Sequence, residues 1–259
     1  MYKFYLFLCL LLCITPSVSA EGAFPDILLV CDDELETPPF TYVDPQNQSA
    51  LTGYSVAVIR EIAARADKRL DITLLPWARC QNEVKLGRRH IALNATWNEQ
   101  RAESFLFSDS FHEAQDFYYY DSRRYPVGLD IKSPKDLQKY KICGLPGYNY
   151  QHLTLTEKQI DFEARDHQQV MLKLSFGQCD LFIEKFPIMA GFSLIGRPYI
   201  RNFSLGYSAV PTVPPTPFYM LIEPGEAGQA IKQFLDAGLA QLKADGSLKR
   251  LYDRFVPPP

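Results

Sequence analysis

The stretch NATWNEQRAESFLFSDSF, residues 94–111, decides how this chain is read. It begins where the apolar run HIALN (90–94) ends, and that run has the length and composition of a buried strand. Asn94 to Thr96 turn the chain, Trp97 follows, and a short polar run carrying Arg101 opens a helix. A guanidinium one turn inside a helix that follows a strand lies near free backbone N–H groups, a place that attracts an anion. Spacing alone leaves another reading standing, a surface ion pair of Arg101 with Glu99 or Glu103.

Upstream, residues 26–31 (DILLVC) suit a buried strand, and residues 32–53 are rich in turn formers and read as a long loop. Val56, Val58, Ile59, Ile62 and Ala63 have helical spacing, so 54–66 predicts a helix. A strand at 71–75 and a helix at 78–86 stopped by Gly87 lead to the strand at 90–94. This is β-α-β-α-β, the order of a parallel sheet with crossover helices.

Downstream the order repeats. Ser133 and Pro134 open a helix to 139, with strands at 141–144, 161–164 and 180–183. Helices are expected at 148–153, at 168–176 before Gly177, and at 187–194. Extended segments at 115–124 and 207–223 leave each α/β unit. A final amphipathic helix over 226–244, a break at Gly246 and a last helical piece at 248–255 have no strands of their own and are expected to cover the first unit.

The composition, 47% hydrophobic and 22% charged over 259 residues, is that of a globular chain with a sizeable core. A net charge of −3 offers no basic face, which argues against nucleic acid as a partner. Residues 1–20 combine Lys3, the apolar run 4–13 and small residues at Val18 to Ala20. They read as a secretory signal peptide cleaved after Ala20, placing the mature protein in the periplasm; the other reading, a lipid anchor on Cys13, lacks the small residue that should precede it. Four cysteines remain after cleavage: Cys31, Cys80, Cys143 and Cys179. Their even number suits two disulfides in an oxidising compartment, with three pairings open. No CxxC or histidine cluster points to a metal, and the four histidines are scattered.

Six segments in order carry a resemblance: Pro38-Pro39-Phe40 after the first strand, LTGYSVAVIREIAARADK (51–68), LPW (75–77), the short helix closed by Gly87, TWNEQRAESFLFSDSF (96–111) and the C-terminal EAGQAIKQFLDAGLAQLKADGSLKRLYDRFV. Together they resemble the bacterial extracellular solute-binding proteins of family 3, the polar amino-acid-binding type. The resemblance implies an α/β fold of two lobes, the type II periplasmic-binding-protein clamshell, each lobe a mixed sheet flanked by helices. Lobe 1 would comprise residues 21–118 and 217–259, lobe 2 residues 119–216, with two hinge strands between them. It also implies a monomer without cofactor that captures a small carboxylate-bearing solute, an amino acid or related organic acid. That solute would pass to the membrane permease of an ABC importer, with no chemistry done on it.

The family's arginine at the place of Arg101 binds the ligand carboxylate, which a planar guanidinium fork suits. Thr96, with Asn94 and Trp97 beside it, would supply further donors, and Trp97 either closes a pocket wall or packs on its lobe. Phe40 and Trp77 stand where aromatic pocket walls are expected, or else in the core. Glu34 and Arg79 are either ligand groups or solvated loop charges. Tyr148 and Asn149, in GLPGYNY (144–150), would face the ligand from lobe 2, or belong to a plain loop.

Two positions depart from the family. Lys185 stands where amino-acid binders carry the aspartate that pairs with the ligand's α-ammonium group, and His90 stands where an aspartate is usual. Glu184 is adjacent to Lys185, but strand neighbours point to opposite faces. Either Glu184 reaches in by a shifted register, or the ligand has no α-ammonium and Arg101, Lys185 and Arg79 receive more than one carboxylate. A bridge between lobes would lock the hinge, so same-lobe pairs Cys31–Cys80 and Cys143–Cys179 are expected, or else buried free thiols. Two other roles fit the same fold: a ligand-sensing accessory protein for a membrane receptor, and an exported cyclohexadienyl-dehydratase-like enzyme using Glu34 or Glu184 as its acid.

Overall fold

The computed structural model describes residues 24–256. The expected signal peptide, its cleavage point after Ala20, and Cys13 lie outside the described residues. Strand β1 (Ile27–Asp33) buries Leu28 and Val30 completely, because it is flanked on both sides by strands and on both faces by helices. It runs two residues past the apolar segment, since Asp32 and Asp33 pair in register with Leu74 and Leu75. The chain then forms a hairpin, β2 (Tyr42–Asp44) and β3 (Asn47–Thr52), inside the stretch expected to be loop. Its half-buried residues lack the apolar alternation that marks a strand.

Helix α1 (Tyr54–Arg65) starts after Gly53, whose φ of 116° and closeness to the Phe40 carbonyl (2.3 Å from any added Cβ) leave room only for glycine. Next come β4 (Arg69–Leu75), α2 (Trp77–Lys85), β5 (Ile91–Thr96), the single turn α3 (Glu99–Ala102), β6 (Leu106–Phe107) and β7 (His112–Ala114). Strand β8 (Asp116–Asp121) opens the second lobe, followed by β9 (Ile142–Cys143), β10 (Ile160–Asp161), α4 (His167–Ser175), β11 (Leu181–Lys185), α5 (Phe186–Gly191), α6 (Tyr199–Asn202) and β12 (Leu205–Ala209). The helix expected from Ser133 is a 3-10 helix, Pro134–Lys139, held by a capping box between Ser133 and Asp136. The chain returns through β13 (Thr216–Ile222) to α7 (Glu226–Ala244) and α8 (Ser247–Phe255). Among the described residues no helix is long and apolar enough to cross a membrane.

The first sheet has the order β4-β1-β5-β13-β6, with β7 also on β13. Strands β4, β1 and β5 are parallel, and β13 runs against β5, β6 and β7. The second sheet, β10-β9-β11-β8-β12, is parallel in β10, β9 and β11 and antiparallel at β8. The chain leaves the first sheet after Ala114 and enters the second at Asp116. The crossing therefore precedes 118/119, because β8 is bonded to β11 and β12 along its length. The return falls between Ala209 and Thr216, one residue ahead of the expected 217.

The apolar face of α7, with Ile231, Leu235, Leu239 and Leu242 fully buried, lies on lobe 1, where Gly238 packs against Ile62 of α1. Both disulfides join neighbours within one lobe: Cys31–Cys80 ties β1 to α2, and Cys143–Cys179 ties β9 to the segment that enters β11. The parallel strands of both mixed sheets aim their carboxyl ends at the space between the lobes, where an open α/β sheet binds ligands.

Candidate ligand site between the lobes

A cavity of about 70 Å³ lies where β1, β5 and the starts of α2 and α3 face the 144–150 loop, the end of β11 and α5. Thr96 ends β5, and Asn98 caps α3 by accepting the Arg101 backbone N–H at 2.7 Å. This turn aims the Arg101 side chain inward, where it is 7% exposed. One terminal nitrogen donates to the Thr96 carbonyl (2.7 Å) and hydroxyl (3.2 Å), and the other to the Gly147 carbonyl of lobe 2 (3.0 Å). The Trp77 ring lies 5.6 Å from the guanidinium carbon.

Arg101 has no carboxylate within ion-pair distance among the described residues, and Glu99 and Glu103 are exposed. Burial without an anion pulls its pKa down to about 10, so it remains charged at neutral pH. A buried cation held only by neutral dipoles is costly, and an anionic ligand group would offset that cost.

Acids line the same cavity. Asp33 accepts from the Leu35 N–H (3.1 Å) and from the Tyr148 hydroxyl of lobe 2 (3.1 Å), and burial raises its pKa. Asp32 accepts from Asn94 Nδ2 (2.6 Å) and the Asp33 N–H (2.9 Å), and burial pushes it up to about 7. Asn94, at a φ of 57°, also donates to Thr41 at 3.0 Å and accepts from Ser55, so its amide positions Asp32. Glu184 accepts from the Lys185 N–H (2.7 Å) and lies 3.3 Å from His167 Nε2.

Lys185 is 5% exposed and sits directly opposite Asp116 in the β11–β8 ladder. Its ammonium donates to Asp116 and to the Thr216 hydroxyl (2.8 Å) and lies 5.8 Å from the Phe218 ring centre. Asp116 also contacts His152 (2.9 Å) and accepts from Thr216 (2.8 Å). Burial alone would raise Asp116, but the His152 hydrogen bond and the Lys185 charge outweigh it and hold the carboxyl at about 2.

Of the residues singled out in the sequence, Phe40, Trp77, Asn94, Thr96, Arg101, Tyr148, Asn149, Glu184 and Lys185 line the cavity. Glu184 needs no register shift to do so, because the cavity lies over the end of β11, where the chain turns into α5 and both residues border it. Three others lie outside. Glu34 is exposed just past β1. Arg79, two residues beyond Trp77 on α2, falls on the opposite side of the helix and reaches towards Glu83. Trp97 is 53% exposed and contributes only its carbonyl, which accepts from Asn149 at 3.0 Å. His90 is remote from the cavity, its Nδ1 accepting the Leu29 N–H.

Asp32, Asp33 and Asp116 were not singled out. The signal for the first two is an Asp-Asp pair at the carboxyl end of the first parallel strand.

The lobes touch across the cleft. Asn149 Nδ2 donates to the Thr96 hydroxyl (3.1 Å), Arg197 pairs with Glu36 (3.2 Å), and the Arg101–Gly147 and Tyr148–Asp33 bonds cross the same gap. Gly191 of α5 packs so tightly on Pro38 that an added Cβ would lie 2.3 Å from the Pro38 carbonyl oxygen. This is a clamshell in its closed arrangement.

The chain is 23% identical over 225 residues, 84% of its length and 79% of the relative's, to the "Probable amino-acid-binding protein YxeM" of Bacillus subtilis (strain 168). Its fold superposes on an ancestral arginine-binding protein with a TM-score of 0.71 at 18% identity, covering 90% of this chain and 99% of the other. It superposes equally on a histidine kinase sensor domain similar to periplasmic binding proteins, with a TM-score of 0.72 at 18% identity, covering 90% and 98%. Likeness at that identity establishes the two-lobed fold and nothing about the ligand. The family model for bacterial extracellular solute-binding proteins, family 3, matches residues 29–258, and the chain belongs to that family.

Proposed function

We propose that this protein captures a small zwitterionic amino acid between its lobes, in the periplasm, for the permease of an ABC importer. The observation that carries the reading is a buried guanidinium with no carboxylate partner among the described residues, Arg101, sharing a cavity between the lobes with Asp33 and Glu184. A ligand carboxylate would take the Arg101 fork, with Thr96 and Asn149 beside it. A ligand ammonium would take Asp33 of lobe 1 and Glu184 of lobe 2. Such a ligand contacts both lobes only when they are shut, so it draws the open–closed equilibrium towards closure.

A ligand with several carboxylates is less well supported. Lys185 already has Asp116 as its partner, and Arg79 lies outside the cavity. We read the protein as a monomeric binding protein rather than an enzyme. Of the two acids considered for a dehydratase, Glu34 is exposed, and Glu184 is engaged by His167 and a backbone N–H.

Calorimetric titration with the common L-amino acids tests this. At least one should bind, and Arg101→Met should weaken it roughly 100-fold, matching the ~3 kcal/mol typical of removing one partner of a buried charged pair. Binding that survives Arg101→Met within threefold would remove Arg101 as the carboxylate anchor.

A further inference from the structure

The Lys185 ammonium is held as a bound alkylammonium ligand would be. A buried carboxylate, Asp116, and a hydroxyl, Thr216, accept from it, and the face of Phe218 covers it. Lys185, Asp116 and Phe218 all line the cavity, so this cation site is part of the ligand site rather than a separate core feature. Asp116 and Thr216 are the first residues of β8 and β13, the two strands that follow the chain's crossings between lobes. Lys185 enters from the end of β11 in lobe 2 and donates to Thr216 on a strand of the lobe 1 sheet.

We propose that Lys185 is a specificity residue that fills a second cation subsite, built by Asp116, Thr216 and Phe218, with the chain's own side chain. The inference rests on the amino-acid reading above and sharpens it to amino acids with short, uncharged side chains. A ligand with a second ammonium finds its carboxylate already taken and a like charge beside it. The lysine stem also occupies the length that a long side chain would need, which accords with a cavity of about 70 Å³.

Removing the lysine stem should therefore open a working cation site. In Lys185→Ala the missing part of the side chain is three carbons and an ammonium, which is n-propylammonium. At tens of millimolar, n-propylammonium should raise the melting temperature of Lys185→Ala by several degrees more than that of the parent protein, whereas 1-propanol should not discriminate between them. The double variant Lys185→Ala/Asp116→Asn, which leaves no bare buried carboxylate, should fold and lose the response. This arm involves no amino acid, so it stands or falls apart from the assigned ligand class.

Titration then tests specificity. The parent protein should bind L-alanine at least tenfold more tightly than L-ornithine. Lys185→Ala should gain at least tenfold for L-ornithine relative to its uncharged isostere L-norleucine. Equal gains for both would mean that Lys185 limits only volume, and would overturn the cation subsite. So would an absent propylammonium response, or a parent protein that prefers ornithine. A parent protein that binds no amino acid, with the propylammonium response intact, would count against the amino-acid reading and the specificity drawn from it while leaving the subsite in place.

Discussion

Asp32 and His112 are buried in lobe 1, each reaching the Asn94 amide, and pull stability in opposite directions with pH. His112 stacks on Phe40 (4.3 Å) and on Phe218 (4.5 Å), and burial, with the Lys185 charge second, lowers its pKa to about 3. Burial raises Asp32 to about 7 from an ordinary value of 3.8. Between pH 4 and 6.5 the folded state keeps an Asp32 proton that the unfolded chain has lost, so this group makes stability fall as pH rises. Over the same window the folded state lacks a His112 proton that the unfolded chain carries, so that group makes stability rise. The two nearly cancel up to pH 6.5, and above it Asp32 alone acts until about pH 7. Asp116, held at about 2, contributes stability that is complete above pH 4 and is lost only in stronger acid. Asp32→Asn isolates one member. Its melting temperature relative to the parent should climb from pH 4 to 7 and then level off, for a total on the order of 4 kcal/mol. An offset that stays constant with pH would mean that Asp32 does not titrate in this range.

At the scale of elements, each disulfide pins a helix or loop to the strand beneath the cavity. Cys31–Cys80 closes a loop with a sequence separation of 49 and holds α2, whose first residue Trp77 lies against Arg101. Losing it frees that loop in the unfolded chain, which the chain-entropy relation places at about 4 kcal/mol. Cys31→Ala/Cys80→Ala should unfold at a correspondingly lower urea concentration and, where still folded, bind its ligand less well as Trp77 loosens. Cys143–Cys179 closes a separation of 36 in lobe 2 and joins β9 to the segment entering β11 rather than to α2. Its Ala/Ala variant should lose similar stability, about 4 kcal/mol by the same relation, but less affinity. Equal affinity losses from both pairs would deny α2 its special part in the site.

For the whole molecule, function depends on the lobes meeting, and one position tests this without touching the cavity chemistry. Gly191 has ordinary helical angles, with φ at −63°, so alanine there costs the helix nothing and favours it by roughly 0.5–1 kcal/mol. Its added Cβ would nevertheless lie 2.3 Å from the Pro38 carbonyl oxygen of the opposite lobe. Gly191→Ala should thus keep or raise the melting temperature of the free protein while weakening ligand binding at least tenfold. Small-angle scattering should show a larger radius of gyration with ligand than the parent protein has. Unchanged affinity would mean that closure does not need the Gly191–Pro38 contact.

The order of helices and parallel strands was legible in the chain because local periodicity and glycine stops dictate it, as at Gly87 and Gly177. Arg101 was legible because a strand, a turn and a capped helix start place it whatever surrounds them. The hairpin at Tyr42–Thr52 was not, since its pairing rests on backbone bonds rather than on an apolar pattern. Only the tertiary structure decided the charge pairing. Asp116 and Lys185 are 69 residues apart and meet through an antiparallel ladder, so a lysine that looked free to meet a ligand already has its anion. Asp33 and Glu184 come from different lobes and border one cavity only when the lobes close. Local spacing determines which face of an element a side chain occupies, but the partner waiting there depends on contacts that only the assembled sheets create.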